Sequence, residues 1–534
     1  MLAPLVVLGL EKLIKEKKVL LYYISLSLCI ISNYYIAIMV CIFQVIWFLI
    51  TWLENKETGI GAWIHFAVYS LLAGGTGAVL IIPEAITLGA SGSQNISFPD
   101  TMEWYFNIIA ELGRHSVMAE PYTGKDHWPN IYCGVAVFLF FLLYLACKKI
   151  SAKEKSVYCG LLLIFFASFS VNALNFIWHG LHYPNSLPCR QSFIYIFLML
   201  FVCFRAFQYL RDIPRRHVAA AFWGSVCFVI LAEKLVEQEH FHFAVYYVAI
   251  LFLAAYTGLI YLYKKRRREL AAFLALALVA VEAAVNTTVP SVTTTSREAY
   301  TRDNKEVQAL MEKLEPAEDF YRVEKKTRKT KNDGAWMNFP SVSLFSSTAN
   351  ADLTKFFKRM GCEASTNAYS ITGSTPLVDS LLSVRYALYS EYIPNTDLVN
   401  YIQESGGTYL YENLYTLPLG FVLPYDLADN WQYQMENPAE VQNDLCLLLG
   451  TDDVLVPVET EVSGSGCTFT ADMAGEYYVY IQNKKVKNVK ASLPSGEKNF
   501  SNVDRGYLLE MGNLYEGSRI TLTPGESGET LTAG

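Results

Sequence analysis

The first half of the chain is a series of long apolar runs separated by short polar segments. A helix needs about 20 largely apolar residues to cross a bilayer, so these runs predict nine to ten membrane helices. The run over 19–53 is too long for one span, and Ser32-Asn33-Tyr34-Tyr35 predicts a break within it. The first run is too short to cross alone. The runs lie near 1–11, 19–33, 34–53, 61–88, 131–147, 156–172, 191–210, 217–233, 243–263 and 270–287.

The pattern changes after residue 287. A Ser/Thr-rich stretch, 288–300, is followed by segments with mixed helix and strand periodicity. From about Val454, short apolar segments alternate with Gly, Asn and Pro turns, which is typical of antiparallel strands. The sequence therefore predicts a transmembrane domain at 1–287, an α+β region at 288–450 and a β-sandwich-like region at 451–534. Tyr477, Tyr478 and Tyr480 are interpreted as alternating core and rim positions rather than as a sugar platform.

Charge divides the chain at the same place. Residues 1–287 hold 22 Lys/Arg and 17 Asp/Glu, whereas the remainder holds 21 and 33, which gives net charges of +5 and −12. A nucleic-acid-binding protein would carry a basic stripe on its water-facing part, so the acidic C-terminal half argues against that class. The chain is predicted to be a polytopic membrane protein with a large acidic water-facing part.

Loop charges predict which side each loop faces. One set of alternate loops holds 17 Lys/Arg, and the opposite set holds four. Because cytoplasmic loops carry the excess of Lys and Arg, the first set is predicted to be inside the cell. The cytoplasmic set is 11–18, 54–60, 148–155, 211–216 and 264–269. The opposite set, which holds the four, is 89–130, 173–190 and 234–242, and it is predicted to be extracytoplasmic. Everything after 287 is predicted to lie on that same side, in a multi-pass protein of the cell membrane.

The outer segment 172–193 concentrates polar side chains where a loop meets a span. It holds Asn175, His179, His182 and Arg190. The planar guanidinium of an arginine suits a phosphate bidentately, so Arg190 is a candidate phosphate ligand. The alternative is that Arg190 extends to the lipid headgroups.

Other ionisable groups give weaker indications. His179 with His182, and His240 with His242, have spacings found in metal sites, but no local carboxylate or cysteine completes either set. A divalent metal therefore has no ligand set in the sequence, and no cofactor is predicted. Glu84 and Glu282 lie in or at the end of apolar runs, where ionisable groups are functional hypotheses by default. The usual nucleotide, metalloprotease and esterase motifs are missing from the sequence.

A set of short stretches, in order along the chain, resembles the YfhO-type bacterial membrane proteins, which are grouped with GT-C-like glycosyltransferases. No single stretch is diagnostic, but the ordered set covers most of the chain. The stretches are Leu10–Ile14, Ile31–Tyr35, Pro129–Gly134, Asn175–Gly180, Arg190–Phe193, Asp319–Glu324, Ser346-Ser347, Asp379–Tyr386, Tyr411–Asn413 and Leu417–Phe421.

This resemblance implies a function. The protein would transfer a sugar from a polyprenyl-phosphate donor to a cell-envelope polymer of the teichoic-acid type, on the outer face of the lipid bilayer. For that function, Arg190 and His179 are the candidates for binding the donor phosphate, and His182, Asn175, Asn130 and Tyr132 are candidates for further substrate contacts. The resemblance assigns no catalytic base to a residue of this chain, and Glu84 is an acid/base candidate only from its position at the end of an apolar run.

The chain also departs from the family pattern. In GT-C-type enzymes the catalytic carboxylate lies in the first outer loop, which has no counterpart here, so N-terminal helices and the C-terminal end are expected to be missing. Two alternatives stay open. The first is a flippase or transporter of lipid-linked sugar, supported by the run Gly74-Gly75-Thr76-Gly77. The second is a non-catalytic envelope scaffold.

Overall fold

The structure, a computed structural model, divides the chain into two compact units. The membrane unit comprises residues 1–84 and 96–295, and the C-terminal unit comprises 85–95 and 296–534. The residues described are 2–54, 59–92, 98–105, 108–120, 128–181, 189–236, 242–265, 267–291, 295–314, 320–526 and 530–531.

Helices account for nearly all of the regular structure up to residue 291, and each of the ten predicted apolar runs contains one. In chain order they are α1 (Ala3–Glu16), α2 (Leu20–Ser32), α3 (Tyr34–Glu54), α4 (Ile60–Gly89), α5 (Ile108–Gly113), α6 (Ala136–Ala146), α7 (Ala152–Ser170), α8 (Asn172–Trp178), α9 (Ser192–Gln208), α10 (Arg215–Leu235), α11 (Phe243–Lys264) and α12 (Arg268–Ser291).

The predicted count of nine to ten spanning helices is too high for the part of the chain that is described. Five helices, α3, α4, α10, α11 and α12, are long and apolar enough to cross a membrane. Three more, α2, α6 and α9, are apolar but have only 10–17 residues. The reason is that an apolar run need not be helical throughout. The run near 131–147, for example, begins as irregular backbone, and its helix starts only at Ala136.

The predicted break in the run 19–53 is confirmed. Asn33 has an extended backbone (φ −166°, ψ 99°) between α2 and α3. Its side-chain Oδ1 accepts the N–H of Ile36 at 3.0 Å, which caps the first turn of α3. The break thereby sets Tyr34 and Tyr35 at the beginning of α3.

Polar contacts join loops that the charge pattern assigns to the same side. At the predicted inner end, Lys149 pairs with Asp212 at 2.8 Å, and Lys264 donates to the Leu210 carbonyl at 2.6 Å. At the opposite end, Asn172 Oδ1 accepts the N–H of Glu103 at 3.1 Å. The two sets of loops therefore lie at separate ends of the membrane unit. Which end faces outward stays a prediction of the charge rule.

The C-terminal unit contains short helices and small sheets. Its helices are α13 (Arg297–Thr301), α14 (Asn304–Glu312), α15 (Asp333–Met337), α16 (Ala351–Arg359), α17 (Pro376–Leu381), α18 (Leu427–Asn430) and α19 (Pro438–Leu448). Its first seven strands are β1 (Arg322–Lys325), β2 (Leu344–Phe345), β3 (Ala364–Ser365), β4 (Ala368–Tyr369), β5 (Val384–Tyr389), β6 (Val399–Ser405) and β7 (Thr408–Asn413). They form a sheet of order β1-β5-β7-β6, in which only β1 and β5 are parallel, and a smaller sheet β2-β4-β3.

The last seven strands form two further sheets that share one hydrophobic core. They are β8 (Thr460–Ser463), β9 (Gly466–Thr470), β10 (Gly475–Val479), β11 (Asn488–Leu493), β12 (Gly496–Ser501), β13 (Leu509–Leu514) and β14 (Arg519–Pro524). The five-stranded sheet has the order β12-β11-β14-β9-β8, and β10 pairs with β13. Residues from both sheets, including Phe469, Val479 and Leu522, meet in the core. The C-terminal part is therefore β-rich, with small antiparallel sheets.

Candidate functional site

The break before α3 supplies a platform for Arg190. The Tyr35 ring lies under the Arg190 guanidinium, whose central carbon is 4.9 Å from the ring centroid. Arg190 is half-buried just before α9. A cation held over an aromatic face is attracted by the ring's negative face, and the N–H donors of a guanidinium lie in its own plane. Tyr35 therefore helps to hold the Arg190 head group in place, a contact that the sequence did not reveal.

His179 fixes the backbone beside this arginine. The imidazole is buried at the end of α8, where its Nδ1 donates to the Asn175 carbonyl at 2.7 Å. Its Nε2 accepts the backbone N–H of Arg190 at 3.4 Å. These contacts assign the ring as a neutral imidazole with the proton on Nδ1. His179 is thereby placed as a positioning residue for Arg190, because both of its ring nitrogens face protein groups.

Asn175 brings one acceptor oxygen to the same place. The side chain is buried, and its Nδ2 lies 3.8 Å from Cys189 Sγ, next to Arg190 in sequence. The Asn175 Oδ1 has no hydrogen-bond partner among the residues that the structure describes. The structure thus brings together three of the predicted residues, His179, Asn175 and Arg190. The fourth member of this predicted cluster, His182, lies outside the described residues.

Asn130 and Tyr132 face other partners. Asn130 Oδ1 accepts from Arg114 Nη2 at 2.9 Å, and Arg114 also donates to the carbonyls of Pro129 (3.1 Å) and Glu120 (2.7 Å). The Tyr132 hydroxyl donates to Glu282 Oε1 at 2.6 Å. The two residues therefore hold the shape of the segment that precedes α6.

Glu282 is the centre of a second polar cluster. It is one of only two buried side chains among those described in α12, the other being Ala271. Besides Tyr132, its carboxylate accepts the N–H of Val135 at 2.6 Å and the Tyr256 hydroxyl. Four residues further along α12, Asn286 Oδ1 accepts the N–H of Met118 at 2.8 Å. Polar contacts from Glu282 and Asn286 thus join the apolar packing of Leu278 and Val285 in attaching this side of α12 to the bundle.

Glu84 lies beside the Tyr35 platform. It follows Pro83 near the end of α4, and its carboxylate interacts with the Tyr34 hydroxyl. Tyr34 and Tyr35 are adjacent, so consecutive side chains of α3 contact the predicted acid/base candidate and the predicted phosphate ligand. The remaining candidate carboxylate of the sequence analysis is therefore at the same end of the membrane unit as Arg190.

A further buried carboxylate, Glu111, was not selected as a site residue from the sequence. It lies in α5, outside the spanning helices, and its Oε2 accepts from Ser170 at 2.6 Å. Its Oε1 has no hydrogen-bond partner in the described part of the chain, and burial raises the pKa of Glu111 to about 8. The sequence did contain a signal for Glu111, because it is the one acidic residue in the otherwise apolar stretch 108–112. The carboxyl group can hold a proton near neutral pH.

The described part of the chain contains no set of ligands for a metal ion. No three His, Cys, Asp or Glu side chains come together there in a way that could hold an ion. His182 and His240, one member of each histidine pair, lie outside that part.

The C-terminal unit contains its own buried polar cluster. Lys326 Nζ lies 3.3 Å from Asp379 Oδ2, and Tyr478 donates to Glu476 at 2.8 Å on the opposite wall of a small cavity. Burial raises the pKa of Asp379 and of Glu476. In contrast, the neighbouring Tyr477 ring stacks on Phe469 within the core of the last sheets. Alternate β10 residues thus face a polar cavity and an apolar core.

Comparison with known proteins tests the predicted family. The family described as "Bacterial membrane protein YfhO" matches residues 1–454, which is most of the chain. No curated protein matches the chain. No solved structure matches it either. The match covers all the helices of the membrane unit and the sheets up to β7, and it confirms the resemblance seen in the ordered motifs. The chain therefore belongs to the YfhO family of bacterial membrane proteins.

Proposed function

We propose that this protein takes part in glycosyl transfer from a polyprenyl-phosphate sugar to a cell-envelope polymer of the teichoic-acid type, on the outer face of the membrane. In this reaction an acceptor hydroxyl attacks the anomeric carbon of the donor sugar. The bond from that carbon to the phosphate oxygen breaks, the polyprenyl phosphate leaves, and the hydroxyl proton passes to a carboxylate.

The observation that carries the proposal is the oriented Arg190. A polyprenyl carrier holds its phosphate at the headgroup level of the bilayer, and Arg190 lies at an end of the membrane unit. Negative charge grows on the phosphate as the sugar leaves, and a preorganised cation stabilises such charge more than a mobile one. The Tyr35 ring and the His179 contact to the backbone supply that preorganisation.

Other residues take supporting roles in the proposed reaction. Asn175 Oδ1, which has no hydrogen-bond partner among the described residues, would accept a hydrogen bond from a sugar hydroxyl. Glu84 is the proposed acid/base group because Tyr34 holds it next to the Tyr35 platform. Asn130 and Tyr132 would act by shaping the adjacent segment. His182 remains a proposed donor contact on sequence grounds alone.

Removal of the Arg190 charge tests the proposal. Arg190→Ala in the full-length protein is expected to lower sugar transfer from a polyprenyl-phosphate donor by about 10²-fold, the usual loss of one preorganised charge-stabilising group. Arg190→Lys should retain part of the activity because it keeps the charge and loses the planar fork. Transfer would be measured in membranes with labelled donor and isolated wall polymer, at equal protein levels.

The chain offers a matched control at the other end of the membrane unit. Arg211 lies over the Tyr263 ring at 5.5 Å, the same arrangement as Arg190 over Tyr35. Arg211→Ala should leave transfer unchanged. Full activity of Arg190→Ala would rule out the phosphate role. A wild-type protein without transfer activity would instead favour the envelope scaffold.

The sequence feature that favoured the transporter alternative, the run Gly74-Gly75-Thr76-Gly77, gains no support from the described structure. Discontinuous helices are the feature that transporters use to bind substrate at the middle of the membrane. The glycine run 74–77 lies inside α4, which is one continuous helix from Ile60 to Gly89.

A further inference from the structure

The C-terminal unit presents an uncharged, apolar segment on its surface. Residues 414–425, Leu-Tyr-Thr-Leu-Pro-Leu-Gly-Phe-Val-Leu-Pro-Tyr, connect β7 to α18 and are called the apolar loop below. Val422 is 98% exposed and Tyr425 is 103% exposed, while Leu419 reaches 62%. Monomeric proteins rarely expose contiguous apolar surface of this kind, and where they do it marks an interaction site.

Both ends of the apolar loop are fixed to the rest of the unit. The N–H of Leu414 donates to the Leu398 carbonyl at 2.9 Å, and the N–H of Leu417 donates to the Ser380 carbonyl at 3.2 Å. After the loop, Leu427 is buried in the core around α16 and α19. Pro418 and Pro424 bracket the tip and restrict its backbone. The fold therefore holds the apolar tip outward instead of burying it.

We propose that the apolar loop inserts into the outer leaflet of the membrane that the same chain spans. The C-terminal unit follows the spanning helix α12 after only residues 292–295, so its tether keeps it near the lipid headgroups. The loop has no charged residue, although residues 288–534 carry a net charge of −12. Lipid is the partner that accepts apolar side chains without demanding a complementary charge.

The order of side chains in the loop fits a lipid interface. Tyr415 and Tyr425 lie at its two ends, and Phe421, Val422 and Leu423 form the stretch between them. Tyrosine is enriched where one end of a side chain is in hydrocarbon and the other in water. Asp426, which follows the loop immediately, is exposed. Its charge would limit the insertion of the loop to the interfacial region of the membrane. The loop would give the C-terminal unit a second membrane attachment besides α12. This inference depends on membrane attachment and not on the proposed sugar transfer.

Site-directed spin labelling of the full-length protein in lipid nanodiscs tests the insertion. Val422→Cys is labelled on a Cys227→Ser background, because Cys227 is the exposed cysteine of the protein. The unsubstituted background, treated in the same way, gives the blank. Collision of the label with oxygen, which concentrates in hydrocarbon, is compared with collision with a water-soluble nickel chelate. Since Val422 makes almost no contact with the protein, the substitution is expected to leave folding unchanged.

Val462→Cys is the matched control, since Val462 is 81% exposed in β8 of the same unit. Insertion predicts an oxygen-to-nickel collision ratio several-fold higher at 422 than at 462. Equal ratios at the two positions would overturn the proposal. So would a label at 422 that neither reagent reaches, because that result would mean that protein covers the loop. None of these readouts requires transfer activity, so they are independent of the proposed reaction.

Discussion

The membrane unit and the C-terminal unit each bury a glutamate without an ion pair in the described structure, but they use it differently. Glu282 accepts two tyrosine hydroxyls and one backbone N–H on a helix whose other side chains are mostly exposed. Glu324 accepts two serine hydroxyls and two backbone N–H groups, and it lies in β1, where most side chains are buried.

The contrast shows that hydrogen bonds and apolar packing contribute differently to stability in lipid and in water. Lipid tails are as apolar as the side chains of α12, so apolar contacts gain little there and hydrogen bonds fix the helix. In water, burial of apolar side chains already stabilises β1. The hydrogen bonds of Glu324 additionally fix the position of the 341–343 segment. A buried glutamate therefore adds hydrogen bonds to sparse apolar packing in the membrane unit and to a well-buried strand in the C-terminal unit.

The largest expected effect comes from Glu324→Ala. Two backbone N–H groups, of Val342 and Ser343, would lose their acceptor inside the protein, which costs about 3 kcal/mol of unfolding free energy. The measurement is a urea titration of the detergent-solubilised chain, followed by proteolysis of the C-terminal unit. Glu404→Ala is the control, because Glu404 is exposed and accepts only the N–H of Gly407. Equal midpoints for the two variants would contradict the role of Glu324.

A smaller effect is expected for Glu282→Ala. Polar contacts between membrane helices contribute about 1–2 kcal/mol, so the variant should melt at a lower temperature in detergent. Glu269→Ala, at an exposed position of the same helix, should melt like the wild type. Equal melting temperatures for Glu282→Ala and Glu269→Ala would show that the stability of α12 does not depend on its polar contacts. Glu282→Gln sharpens the comparison because it retains an acceptor oxygen without the charge.

The smallest effect concerns a glutamate of the C-terminal unit that does form ion pairs. Burial acts to raise the pKa of Glu363, but Lys331, with Arg505 and Arg328, outweighs it and lowers the pKa below its ordinary value of 4.5. A lowered pKa contributes stability that is present above the unfolded value and is lost as the pH falls through the folded one. Glu363→Gln should therefore cost about 1 kcal/mol at pH 7.

The pH dependence of that cost is the measurement. The difference in unfolding midpoint between wild type and Glu363→Gln should narrow as the pH falls below 4.5, the ordinary value for this carboxyl group. A difference that is the same at pH 7 and pH 3.5 would show that packing, and not charge, explains the variant.

The local sequence pattern alone was enough to predict the elements that depend only on neighbouring residues. The ten apolar runs, the break at Asn33 and the change to short strands near the C-terminus follow from hydropathy and turn residues. The family could also be predicted, because its motifs keep their order along the chain. The number of long spans could not be predicted, because apolar residues of the runs before Ala136 and after Gln208 lie outside the helices. The sequence likewise predicted that Tyr477 and Tyr478 alternate between core and rim, but it did not predict that Tyr478 lines a polar cavity.

The candidate site shows which features the sequence could not predict. Composition and spacing selected Arg190 and His179, since a cation and imidazoles at the end of a span are unusual. They did not reveal the Tyr35 platform or the link from Tyr34 to Glu84, because these contacts join residues far apart in the chain. Sequence by itself determined which segments become helices or strands and which family the chain belongs to. Only the tertiary structure decided which polar groups meet, because hydrogen bonds and ring contacts act over a few ångströms and depend on how distant helices pack.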